Sequence, residues 1–235
     1  MRILFAVALA MTVLTAQAET PADIVKEVEA RLVPGSYSVV YELTNHRLDG
    51  SLSSYEVRFD IRDADHARGV FTKPEREKGR EVLRVDDALW TYLPGIGKTL
   101  RIADRDSFAG GDFSNADILR VDWTAKYAAS LAKETPNQWI FDLVAKTPEA
   151  AYAKMRLWVD KASRQPVQQY FYDSRGTLLK RCRYGSIQNF GGVTRPAFLQ
   201  MENVVTTQKT ELKVLTLRTG QTFKESRFAV DNLGK

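Results

Sequence analysis

The chain has 235 residues, 44% hydrophobic and 27% charged, with a net charge of +5. That length suits one large β domain or two small ones and supplies ample core. The mild, evenly spread charge argues against a nucleic-acid partner and leaves an anionic ligand or peripheral contact with an anionic membrane surface. The only cysteine, Cys182, rules out an internal disulfide.

Met1 and Arg2 give a short basic start, and Ile3 to Leu14 is apolar apart from Thr12. Ala16-Gln17-Ala18 fits the small-x-small cleavage pattern, so residues 1–18 read as a cleavable export signal too short for a comfortable membrane span. The expected mature chain is residues 19–235, and the lack of linkers or repeats predicts one domain. Thr20 is a plausible N-cap for a helix over Pro21 to Leu32, with Ile24, Val25, Val28 and Leu32 on one stripe.

Strand patterns dominate from there. Val39, Tyr41 and Leu43 share one face of Ser36 to Arg47, and Tyr55, Val57, Phe59 and Ile61 alternate with charged residues. Arg68 to Lys73, Val82 to Val85, Leu89 to Leu93 and Thr99 to Ala103 follow, with Pro94-Gly95-Ile96-Gly97 as a turn. Trp90 and Tyr92 lie opposite Leu89 and Leu93, so that strand is apolar on both faces. Ser114 and Asp117 form a variant capping box that opens a short helix through Ile118 and Leu119. Further strands are predicted over Trp139 to Lys146, Lys154 to Lys161, Pro166 to Tyr172, Thr177 to Tyr184, Phe198 to Val205 and Thr210 to Leu217. Phe223 and Phe228 are expected to fasten the tail. Many strands with short turns and few helices predict antiparallel meanders curled into a barrel or folded into a sandwich. A partly closed barrel leaves an apolar cavity.

Catalytic patterns fail on spacing. Gly97-Lys98-Thr99 would need a glycine where Tyr92 stands, and a strand rather than a helix follows it. His46 and His66 have no G-x-S-x-G elbow to serve. Two distant histidines and one cysteine give no zinc spacing, and Asp104, Asp106 and Asp112 lack the calcium-loop pattern. No cofactor or metal is expected. Cys182 reads as a small inward-facing residue.

Trp90-x-Tyr92-x-Pro94, Lys98, Arg101-Ile102 and Ser107-Phe108-x-Gly110-x-Asp112-Phe113-Ser114-x-x-Asp117-Ile118 together resemble the outer-membrane lipoprotein-sorting protein family, related to the LolA and LolB carriers. Lys73-Pro74, Gly79 and the Phe223-x-x-x-x-Phe228 tail extend the resemblance over most of the mature chain. Gly111 is one departure, since the family more often has Ser there. The resemblance implies a half-open, strongly curved antiparallel β-barrel with an N-terminal helix and a short helical lid. It also implies a periplasmic, non-enzymatic carrier for a lipid or lipoprotein acyl chain, partnered by an inner-membrane transporter of the resistance-nodulation-division or ABC type.

Strand alternation nominates Tyr41, Phe59, Ile61, Leu89, Leu93, Leu157, Val159 and Phe171 as cavity lining. Trp90, Tyr92, Gly110, Gly111, Phe113, Ile118 and Leu119 are the lid or mouth candidates, with the two glycines expected to let a loosely held lid move. One rival reading is a protein-binding transporter subunit with a filled core. Another is a glycan- or lipid-modifying enzyme, which would need Asp104, Asp106 and Asp112 gathered in a cleft.

Overall fold

The computed structural model describes residues 19–119 and 121–235, so the export signal expected over residues 1–18 lies outside the described residues. Helix α1 (Pro21–Leu32) starts at a reciprocal capping box: the Asp23 amide donates to Thr20 Oγ1, and the Thr20 amide donates to Asp23 Oδ2. Its buried stripe is Ile24, Val25, Val28 and Leu32.

Six strands follow: β1 (Tyr37–His46), β2 (Leu52–Ile61), β3 (His66–Lys73), β4 (Glu81–Val85), β5 (Ala88–Leu93) and β6 (Lys98–Ile102). A segment with helices α2 (Asn115–Leu119) and α3 (Trp123–Lys126) leads to the second series. That series is β7 (Tyr127–Glu134), β8 (Gln138–Ala145), β9 (Lys154–Asp160), β10 (Pro166–Tyr172), β11 (Leu178–Phe190), β12 (Val193–Asn203) and β13 (Lys209–Thr219).

All thirteen described strands join one antiparallel sheet in the order β6-β5-β4-β3-β2-β1-β13-β12-β11-β10-β9-β8-β7. The sheet is strongly curved and does not close. Each half is a meander, and β1 pairs with β13 from Tyr37↔Thr219 to His46↔Lys209. The free edges, β6 and β7, are therefore consecutive in sequence, and residues 103–126 bridge them as a strap across the open seam. The inner face holds the main core: the alternate residues of β1, β2 and β9 are buried, and α1 packs over β7 and β12.

Two strand boundaries differ from expectation. β11 runs on to Phe190 and β12 begins at Val193, five residues before Phe198, around a Gly191-Gly192 turn with positive φ at both glycines. This hairpin is largely polar and exposed, so it carries no apolar period to read. β7 went unpredicted for the same reason: of its eight residues only Tyr127 is buried.

The outer face carries a second cluster. Leu83, Phe228 and Leu233 are buried together, with Trp90, Tyr92, Phe223 and Val230 packed against them. The C-terminal segment thus covers the outer side of β4 and β5, and Phe223 and Phe228 meet edge to face. Arg68 ties this segment down through Glu81 and the Arg227 and Asn232 carbonyls.

Candidate ligand-binding cavity

Beneath the strap the inner face opens into a cavity of about 570 Å³. That lies within the roughly 300–1,000 Å³ typical of small-ligand sites. Tyr41 and Ile61 come from the first meander; Met155, Phe171 and Met201 come from the second; Phe113, Ile118, Leu119 and Trp123 come from the strap. Short aliphatic and aromatic strap residues thus face apolar strand residues across the void.

Of the nominated lining, Tyr41, Ile61 and Phe171 reach the cavity wall. Phe59, Leu157 and Val159 do not: they are fully enclosed in the packed core, where Phe59 meets Tyr41 and Phe108. Leu89 is also core, and Leu93 is partly exposed at the β5–β6 turn. Alternation gives the face of a strand but not whether its neighbours fill the space above it. Of the lid candidates, Phe113, Ile118 and Leu119 line the cavity. Trp90 and Tyr92 are corrected to the outer face, where the C-terminal segment supplies the second apolar surface.

Gly110 and Gly111 lie in a turn of the strap that side chains from β1 and β13 hold. Gly110 has φ of +69°, which glycine adopts without strain, and terminates a 3₁₀ turn over Phe108–Gly110. A Cβ on Gly111 would lie 2.4 Å from Asn45 Oδ1 and 2.7 Å from Thr210 Oγ1. These two residues occupy the space that a serine there would need. Around them the strap is clamped. Asn45 Nδ2 donates to the Ala109 carbonyl at 3.0 Å, and the Asp112 amide donates to Thr210 Oγ1 at 2.8 Å. Lys180 Nζ donates to the Asp112 carbonyl at 2.6 Å. Burial raises the Asp112 carboxyl above its ordinary pKa, against the pull of Thr210 and Lys180. Phe108 and Phe113 anchor the same turn in the core. Gly111→Ala should therefore destabilise the protein by about 1–3 kcal/mol through overpacking. Gly95→Ala, with open space around it, should change stability by under about 0.5 kcal/mol. Urea unfolding measures both, and equal midpoints for Gly111→Ala and the parent protein would contradict the clamp.

The predicted Ser114–Asp117 box is present at α2: the Ser114 amide donates to Asp117 Oδ2 at 2.8 Å, and the Asp117 amide donates to Ser114 Oγ at 3.2 Å. Tyr152 Oη also donates to Asp117 Oδ2, at 2.8 Å, tying α2 to the second meander. Burial pushes the Tyr152 phenol well above its usual pKa, and Asp117 adds to the shift. Cys182 is buried in the wall, and burial raises its thiol pKa, so it presents a thiol rather than a thiolate.

The three carboxylates of the enzyme reading are not gathered. Asp104 lines the cavity but pairs with the fully buried Arg84; Asp106 accepts from the Ala103 amide; Asp112 sits in the strap clamp. Among the described residues no group of three or more His, Cys, Asp or Glu is placed to hold a metal ion. No described helix is long and apolar enough to cross a membrane.

Sequence reasoning missed the polar part of the wall. Gln169, Tyr184, Tyr37 and Arg195 all line the cavity. Tyr184 Oη donates to Gln169 Oε1 at 2.7 Å. Arg195 precedes Pro196 in the hairpin that had no readable period, so only the lone cation in an otherwise inward-facing register could have signalled it.

A family model described as "Uncharacterized protein" matches residues 63–235. The chain belongs to that family. Its fold is that of the LolA superfamily. A LolA superfamily protein from Nitrosomonas europaea superposes with a TM-score of 0.83 at 22% identity, over 91% of this chain and 99% of that one. A putative outer membrane lipoprotein-sorting protein domain from Vibrio parahaemolyticus gives 0.80 at 23% identity, over 92% and 98%. A DUF1329 family protein from Desulfovibrio piger gives 0.79 at 20% identity, over 92% and 100%. No curated protein matches the chain. The likeness expected from the motif holds at the level of fold.

Proposed function

We propose that this protein is a non-enzymatic periplasmic carrier that holds a lipid or lipoprotein acyl chain in the cavity. The observation that carries this reading is the void of about 570 Å³ under the strap, with Phe171, Met155, Met201, Ile118 and Leu119 among its lining. Leaving an acyl chain in water costs about 0.8 kcal/mol per methylene, so a wall of Phe171, Met155, Ile118 and Leu119 favours transfer into the cavity. The fold shared with a putative lipoprotein-sorting domain supports the same reading. Cargo would pass between an inner-membrane transporter of the resistance-nodulation-division or ABC type and the outer membrane. A filled-core accessory subunit is disfavoured by the cavity itself.

The test is uptake of fluorescent acyl probes by the purified mature chain, alongside mass spectrometry of lipids that copurify with it. Saturable fluorescence gain with micromolar probe is the expected result. Failure of charged and neutral acyl probes alike, with no copurifying lipid, would overturn the carrier reading.

A further inference from the structure

Arg195 is a cation on the cavity wall with no carboxylate partner among the described residues. It is only 4% exposed, on β12, opposite Gln188 of β11. Its Nη1 donates to the carbonyl of Leu32, the last residue of α1, at 2.5 Å. The partial negative charge of that helix end offsets part of the burial cost of the guanidinium. It does not saturate a group with five N–H donors: Nε is buried with no partner. The Tyr37 and Tyr184 hydroxyls lie near it, and Gln169 shares the same wall. Burial pushes both phenols well above their usual pKa, so they stay protonated donors.

The acidic side chains of the cavity do not neutralise Arg195. Of the acidic residues in the lining, Asp104 pairs with Arg84, Asp87 with Lys126, and Asp63 with Arg62 and His66, while Asp117 is taken by α2 and Tyr152 and Glu149 is hydrogen-bonded to Thr147. An unpaired buried charge is costly, and a fork of N–H donors matches a carboxylate or phosphate.

We propose that the cavity selects acyl ligands with an anionic head, a carboxylate or phosphate received by Arg195, with the chain running past Phe171 and Met155 towards the strap. This rests on the acyl-carrier reading and adds a head-group requirement to it.

The experiment compares palmitic acid, its methyl ester, hexadecanol and hexadecyl phosphate as competitors of a neutral fluorescent acyl probe on the purified mature chain. The acid and the phosphate should bind about ten- to a hundredfold tighter than the ester and the alcohol, the span expected of a charge-assisted pair. Whichever anion binds tighter identifies the head group. Arg195→Gln should remove the preference by bringing the acid and phosphate affinities down to that of the ester measured on the same variant, and Arg195→Lys should restore part of it. The wild-type comparison stands even if Arg195→Gln fails to fold. Equal affinity of all four ligands would overturn the head-group proposal alone, leaving Arg195 as a cap on α1 satisfied by water. Binding of none would overturn the carrier reading instead.

Discussion

Replacing Arg68 with alanine is expected to destabilise the protein by about 3–5 kcal/mol, the range for breaking one side of a buried ion pair. Arg68 is 3% exposed and Glu81 6%. The Arg68 guanidinium reaches Glu81 Oε2 from Nε at 2.8 Å and from Nη2 at 2.5 Å. It also donates to the Arg227 carbonyl at 3.2 Å and the Asn232 carbonyl at 2.8 Å. Alanine would strand the Glu81 carboxylate and free the C-terminal segment from the outer face, uncovering Leu83, Trp90 and Tyr92. At about 2–4 °C per kcal/mol for a domain of this size, the melting temperature should fall by roughly 6–20 °C. Arg68→Met combined with Glu81→Met should recover much of the loss, because an apolar pair leaves no buried charge. A single-mutant melting temperature within about 2 °C of the parent would show that the segment is held by apolar contact alone.

Phe59→Ala should cost about 3–5 kcal/mol, the usual range for emptying a buried aromatic site. Phe59 is fully enclosed, with its ring 5.5 Å from Tyr41 and 5.9 Å from Phe108. It also lies over Gly69, where any Cβ would come within 2.4 Å of the ring. Collapse is limited, because Phe108 is itself stacked on Phe71 at 5.7 Å. Acyl-probe affinity, measured where the variant remains folded, should fall less than in Ile61→Ala, because Phe59 reaches the cavity only through its contact with Tyr41. A large loss of affinity with little loss of stability would put Phe59 back on the ligand surface.

The stretches with a strong apolar period were legible in the sequence. The α1 stripe and its Thr20–Asp23 cap, the alternation of β2 and β9, and the Ser114–Asp117 box are each local patterns with one physical solution. The family resemblance carried the curved, unclosed sheet, which the pattern alone left open against a sandwich. Elements with little buried surface were not legible. β7 is an edge strand with one buried residue, and the β11–β12 hairpin is mostly polar. The cavity wall was only partly legible, because the difference between Ile61, which lines it, and Phe59, which does not, is made by Phe108 arriving from the strap. The close approach at Gly111 was not legible for a related reason. A glycine needed for space and a glycine needed for freedom look the same in a sequence, and the distinction rests on Asn45 and Thr210 from β1 and β13.

Because β1 hydrogen-bonds to β13, the first strand to be made has to wait for the last. A chain made N-terminus first can assemble β1 to β6 as a meander. Its β1 flank then remains a raw edge, with the inner apolar residues of β1 and β2 uncovered, until nearly the whole polypeptide has arrived. Long-range strand pairing is slow and leaves such edges open to aggregation. The cavity therefore comes into being late and all at once, after the final strand docks. Until then the emerging half-sheet is itself a sticky client, one that a chaperone would have reason to hold.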